Sequence, residues 1–293
     1  MNRTIPTAFA VLAALLALAA APQAGAAGEV LPVQELNEHT HIHGLAVDRV
    51  HEGHLLIATH HGVFRADPDG LAERISPVKD FMGFTPHPKE AQVFYGSGHP
   101  PQGGNLGFIV SSDGGASWQQ RSPGVNGPVD FHQMTVSPID PDIIYGTYGA
   151  LQRSADGGHS WSIVGPLPAD LISLAASARE PDTLYAGTRN GLKISLDGGR
   201  SWEAVLSDIP VSLAAVDGNG GLFAFVPGHG LVRADEAGLD FSTLAQGWED
   251  HILLHMAFDL GDPSRIFAAS HQSEIFASED GGRSWSTFGG EAD

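Results

Sequence analysis

An eight-residue stretch, Ser111-Ser112-Asp113-Gly114-Gly115-Ala116-Ser117-Trp118, returns three more times along the chain. The copies are Ser154-Ala155-Asp156-Gly157-Gly158-His159-Ser160-Trp161, Ser195-Leu196-Asp197-Gly198-Gly199-Arg200-Ser201-Trp202 and Ser278-Glu279-Asp280-Gly281-Gly282-Arg283-Ser284-Trp285. Self-similarity at a period of tens of residues is the mark of stacked supersecondary units, each unable to bury its apolar faces alone. Within each copy, Asp can bond its own backbone two residues on and the paired glycines supply positive φ. The pattern therefore reads as a tight turn between antiparallel strands, followed by a Trp that opens the next strand.

Asp113 and Asp156 lie 43 residues apart and Asp156 and Asp197 lie 41 apart, whereas the 83 residues from Asp197 to Asp280 leave room for two repeats. The missing turn is Arg233-Ala234-Asp235-Glu236-Ala237-Gly238, which has lost its Trp. A further eroded copy is Arg65-Ala66-Asp67-Pro68-Asp69-Gly70, 46 residues before Asp113. Six turns predict an all-β, six-bladed β-propeller of four-stranded antiparallel blades, with no helix required. In the third blade the strands are placed at 131–136, 143–147, 151–154 and 161–164. Asp140-Pro141, Asp262-Pro263 and Glu180-Pro181 mark the turns between the first two strands of their blades.

These motifs resemble the Asp-box (BNR-repeat) β-propellers, a group that includes sialidases, other glycosidases, sortilin-type receptors and photosystem assembly factors. The His41-Ile42-His43-Gly44 start and the Thr59-His60-His61-Gly62 turn resemble exported bacterial propellers grouped as glycosylhydrolase-like. The resemblance implies the fold and leaves the function open.

Residues 1–26 read as a secretory signal peptide: Arg3, an apolar run from Ala8 to Ala20, and the small-residue site Ala24-Gly25-Ala26. The run is too short to be a membrane anchor. Residues 27–293 are expected to form a single propeller domain, exported to the periplasm or secreted as a monomer, with no membrane span once the signal is cleaved. The absence of cysteine excludes disulfides, thiolate metal sites and lipidation of an N-terminal cysteine. A formal net charge of −19, one unit more negative once Arg3 is removed, argues against nucleic acid and anionic lipid as partners. A small ligand, a metal ion or a glycan remains.

Strand parity sorts the loops onto two faces. If the innermost strand of each blade runs downward, the repeated turns lie below, and the loops joining second to third strands and blade to blade lie above. Most of the fifteen histidines fall in the upper loops. The candidate metal ligands are His41, His43, His60, His61, His132, His255 and His271. His41 and His43 share a strand face, and Met82 and His132 occupy aligned positions. Clustered imidazoles suit zinc or copper, with copper favoured if Met82, Met134 or Met256 contributes. The bland alternative is that these rings hydrogen-bond between blades or line a water-filled channel.

Asp80, Asp130, Asp170, Asp208 and Asp250 each precede an innermost strand. Asp80, Asp130 and Asp250 are candidate catalytic carboxylates for glycoside hydrolysis. They could equally cap the entering turns or orient ligating histidines. Trp248, Arg189 and His99 are candidate ligand-binding residues, Trp248 as a stacking platform or else a core filler. The resemblance to sialidases implies a triad of arginines on the substrate carboxylate, yet Arg189 is the only arginine that parity places above. Two classes stay open: a non-catalytic propeller binding a metal or small ligand at a His-rich upper mouth, and a glycosyl hydrolase acting on a neutral glycan.

Overall fold

In the computed structural model, residues 28–290 are described; the expected signal peptide lies outside them. Chain order and sheet order together give six blades around one axis. Blade 1 holds β1 (Val30–Pro32), β2 (Ile42–Val47), β3 (Leu55–Thr59), β4 (Gly62–Ala66) and β5 (Leu71–Arg74). Blade 2 holds β6 (Asp80–Pro86), β7 (Phe94–His99), β8 (Phe108–Ser111) and β9 (Gln119–Ser122). Blade 3 holds β10 (Met134–Val136), β11 (Ile143–Tyr148), β12 (Ala150–Ala155) and β13 (Ser162–Gly165). Blade 4 comprises β14 (Leu171–Ala176), β15 (Leu184–Thr188), β16 (Gly191–Ser195) and β17 (Glu203–Ser207). Blade 5 comprises β18 (Leu213–Val216), β19 (Gly221–Val226), β20 (Gly230–Asp235) and β21 (Ser242–Ala245), and blade 6 comprises β22 (Leu253–Phe258), β23 (Ile266–Ser270), β24 (Ile275–Ser278) and β25 (Ser286–Thr287). Within each blade, successive strands pair antiparallel from the axis outward, and each innermost strand packs against those of the two flanking blades.

The burial pattern follows from this layering. Second strands are covered on both faces by neighbouring blades, so Leu55, Leu56, Ile57 and Ala58 are all fully buried and read as a continuous apolar run rather than an alternating one. Fourth strands lie at the rim, and Gln119, Gln120 and Arg121 are exposed.

All four intact turns close in the same way. In the first, Ser111 Oγ donates to Asp113 Oδ1 (2.8 Å) and accepts from Gly115 N (2.9 Å), while Ser117 N donates to Asp113 Oδ1 (2.8 Å). Gly114 and Gly115 sit at φ +74° and +92°, the left-handed region that favours glycine. The first glycine of each turn donates its N–H to its own blade's first turn, at the carbonyls of Gln92, Asp142, Asp182 and Ser264. All four intact turns therefore lie on one face, as parity requires. Their Trp rings are only half buried, packed between neighbouring blades as Trp161 is against Phe108 and Phe131, with centroids at 5.2 and 4.8 Å.

Two details depart from the sequence reading. Blade 1 gains a fifth strand, because β1 pairs with β5 on its outer edge. A 3-10 turn (Val33–Glu35) and one helical turn, α1 (Leu36–His39), then carry the chain toward the axis. They form because Val33 and Leu36 are buried in the apolar cluster joining blades 1 and 6, and burial outweighs weak local propensity. The ring closes here: Val33 N donates to Gly70 O and Gln34 Nε2 to Phe288 O. Gly70 and Gly289 meet so closely that a Cβ on Gly289 would lie 2.4 Å from Gly70 Cα.

Candidate metal centre at the upper mouth

The residue that follows the innermost strand in each of blades 1 to 3 can be matched through its backbone bond: Asp48 N to His54 O, His87 N to Val93 O, Ser137 N to Ile143 O. Counting back five residues in each blade gives His43, Met82 and His132 as equivalent positions, and two residues earlier gives His41, Asp80 and Asp130. On β2 the ladder slips between Ile42, paired with Thr59, and Gly44, paired with Ala58. His43 is the extra residue of this bulge, which turns its side chain toward the axis. There it lines both a cavity of about 440 Å³ at the upper mouth and one of about 230 Å³ below it.

The mouth cavity is lined by His41, His43, His60, His99, His132, His255 and His271, together with Asp80 and Met82. Six of the seven histidines expected as metal ligands are thus brought around one opening, joined by His99. His61 is not among them. It follows His60 in the tight β3–β4 turn, so its side chain leaves on the other side, toward Leu36, His39 and Phe64 under the N-terminal segment.

Two groups of three donors stand out, each with all its ligand atoms within 4.8 Å of one another. The first is His43, His60 and Asp80. His60 Nδ1 lies 2.9 Å from Asp80 Oδ2 and 3.3 Å from His43 Nε2. His60 Nε2 in turn lies 3.0 Å from His43 Nε2, and the rings meet edge to face with centroids 4.2 Å apart. Burial, reinforced by the adjacent His60 ring, pushes the His43 imidazole down to about 4 even though Asp80 pulls the other way. Burial likewise pushes His255, close enough to influence His43, down to about 4. Asp80 Oδ1 is buried with no hydrogen-bond partner.

The second group is His99, Asp130 and His132. His99 Nε2 and His132 Nε2 converge on one oxygen, Asp130 Oδ2, at 2.9 and 2.7 Å. Burial alone would raise the Asp130 carboxyl, but the His132 hydrogen bond and the two imidazole charges bring it below its usual range. His132 is raised, chiefly by its hydrogen bond to Asp130. Of the three aspartates weighed as catalytic acids or as orienting groups, Asp80 and Asp130 therefore face imidazoles.

The remaining candidates fall elsewhere. His41 is exposed on the rim, its ring 5.8 Å from that of His60. His271, also on the rim, accepts from Ile252 N through Nδ1 at 3.3 Å. Met134 and Met256 line the cavity below the mouth. Arg189 and Asp250 are exposed and outside the lining of the mouth cavity. Trp248 corrects the stacking-platform reading: at 8% exposure it fills the core between blades 5 and 6, against Phe225, Phe276 and Trp285. The pairing of His60 with Asp80 and of His99 with Asp130 was legible only through the repeat, as a loop histidine followed by the next blade's leading aspartate.

The sequence matches no protein-family profile and no curated protein. Among solved structures, it is similar to a gluconolactonase from Xanthomonas campestris, with a TM-score of 0.61 and 16% identity over 84% of this chain and 87% of that one. It is also similar to YCF48 bound to a D1 peptide, with a TM-score of 0.54 and 15% identity over 88% and 84% of the two chains. A GH74 xyloglucanase from the same Xanthomonas species gives a TM-score of 0.56 and 18% identity over 89% of this chain, which spans only 46% of the enzyme. Likeness at this level of identity establishes the β-propeller fold.

Proposed function

We propose that this is an exported propeller that binds a transition-metal ion, zinc or copper, at its upper mouth, with His43, His60 and Asp80 as ligands. The carrying observation is the 3.0 Å approach of His43 Nε2 to His60 Nε2 beside an Asp80 carboxylate. A tetrahedral ion with bonds of roughly 2.0–2.1 Å holds its nitrogens about 3.3 Å apart, so small side-chain adjustments admit one. Two imidazoles and a carboxylate suit zinc and divalent copper. Met82, lining the same cavity, adds a soft sulfur that would favour copper.

The glycan-hydrolase reading is less well supported. A carboxylate pair needs one member protonated in the resting enzyme. Asp130 is held ionised between two imidazoles, Asp80 lies 2.9 Å from the His60 ring rather than opposite a second carboxylate, and Asp250 is outside the cavity lining.

The test is elemental analysis of protein purified without an affinity tag, with thermal melting in added zinc or copper. At a hundredfold excess over Kd an ion bound only by the folded state stabilises by about 2.7 kcal/mol. Wild type should retain ion and melt higher, as should a control with the exposed lower-face His159 replaced by alanine. A His43→Ala, His60→Ala variant should retain less ion than wild type and gain less in melting temperature from added metal. A wild type that holds no ion and is not stabilised by either metal contradicts the proposal.

A further inference from the structure

We infer that the mouth takes two ions, the second held by His99, Asp130 and His132 at the next blade boundary. This deepens the metal reading above and rests on it, but it uses a separate set of donors.

The first support is the repeat. His60 and Asp80 meet at 2.9 Å across the boundary of blades 1 and 2; His99 and Asp130 meet at 2.9 Å across the boundary of blades 2 and 3. Each pair joins a second-to-third-strand loop to the leading aspartate of the following blade. The third donor comes from the blade before the boundary in the first group, His43, and from the blade after it in the second, His132. The His–Asp pair thus recurs at successive boundaries, and at each an imidazole of an innermost strand's approach completes a set of three donors.

The second support is Asp130 itself. Its side chain is 5% exposed, both Nε2 atoms crowd its Oδ2, and its Oδ1 is buried with no hydrogen-bond partner. A carboxylate so placed lacks one of the contacts that burial demands. An ion bound between the three side chains would supply it.

The third support is the far side of His99. Its Nδ1 lies 2.8 Å from Gly104 O, and a carbonyl only accepts, so Nδ1 carries a proton. Nε2 then faces Asp130 either with a second proton or with its lone pair. An imidazole whose outer N–H is fixed by a backbone carbonyl is the usual setting of a metal-bound histidine. The two groups are also neighbours, because Asp80 and His99 are direct partners across β6 and β7. Both ions would therefore share one cavity, with Met82 between their histidines in the blade order.

The test is stoichiometry. Apo protein is saturated with zinc or copper, freed of excess ion and analysed for bound metal, with circular dichroism melts showing that each variant folds. His99 and His132 side chains are 41% and 63% exposed, so a His99→Gln, His132→Gln variant should keep its fold, whereas a substitution at the buried Asp130 puts the fold at risk. Wild type should bind two equivalents, this variant one, and a His43→Gln, His60→Gln variant one. Copper-loaded wild type should show the half-field resonance of a coupled pair, absent in both variants. One equivalent in wild type, unchanged by His99→Gln, His132→Gln, overturns the second ion and leaves the first standing. One equivalent lost in that variant but kept without His43 and His60 overturns the pair and moves the first ion. No bound metal overturns both.

Discussion

Four Trp residues enter the fold through the same turn, yet their indole nitrogens are not alike. Trp118, Trp161 and Trp285 donate Nε1–H to the carbonyl of the second glycine of their own turn, Trp285 to Gly282 O at 2.9 Å. Trp202 Nε1 is buried without a partner, while its ring packs against the cluster around Tyr145, Leu151 and Leu184. An unpartnered buried donor costs about 1–3 kcal/mol, and a hydrogen bond of this kind contributes about 1 kcal/mol net. Trp202→Phe should therefore be less destabilising than Trp285→Phe by about 2–4 kcal/mol, the loss of ring area being similar in both. Urea unfolding of the two variants measures the difference, and equal losses would contradict it. Because these rings are half buried, Trp202→Ala should cost less than the 3–5 kcal/mol of a fully buried aromatic. The sequence gives no sign of this inequality. The octapeptide is the same in kind at each copy, and what differs is the carbonyl each indole meets after packing.

At the scale of the element, the turn is held together by a carboxylate. Hydrogen bonds from Ser160 and Ser154 hold Asp156 down at about 2, and those from Ser201 and Ser195 hold Asp197 at about 2. Asp280 is depressed for the same reason, by bonds from Ser284 and Ser278. A group whose folded pKa lies below its unfolded value stabilises the fold above the unfolded pKa, near 4, and loses that effect as pH falls through the folded one. The thermal midpoint should hold above about pH 4 and fall between about pH 4 and 2. Asp197→Asn, which removes one of these titrations, should flatten that fall; an unchanged slope would show that the turns do not set acid stability. This element was legible in the sequence because its chemistry is local: Ser, Asp and two glycines act within eight residues. The bulge at His43 on β2 was not legible. A slipped register depends on the partner strand, and Ile42-His43-Gly44 alone does not declare it. The helical turn before β2 was missed for the same reason, since only the joining of blades 1 and 6 buries Val33 and Leu36.

At the scale of the whole molecule, the repeats place their turns on one face and seven histidines around the mouth of the other, so a scaffold end and a chemical end follow from strand parity. The count of turns was enough to foresee the number of blades, and parity to foresee the histidine-lined mouth. It could not separate His60 from His61, which are adjacent in sequence and face different cavities, nor tell that Trp248 turns inward. It also split the groups that matter, assigning Asp80 and Asp130 to acid chemistry and His99 to ligand binding. Donor groups form across blade boundaries, between residues about 20 to 30 apart in the chain, and distances of that kind exist only once the blades are packed. The most direct test is an anomalous-difference map, recorded at the zinc or copper absorption edge, from crystals of protein grown with that ion. A peak bonded to His43, His60 and Asp80 is the predicted result. A map with no peak in the mouth, or with peaks only among the aspartates of the opposite face, would contradict it.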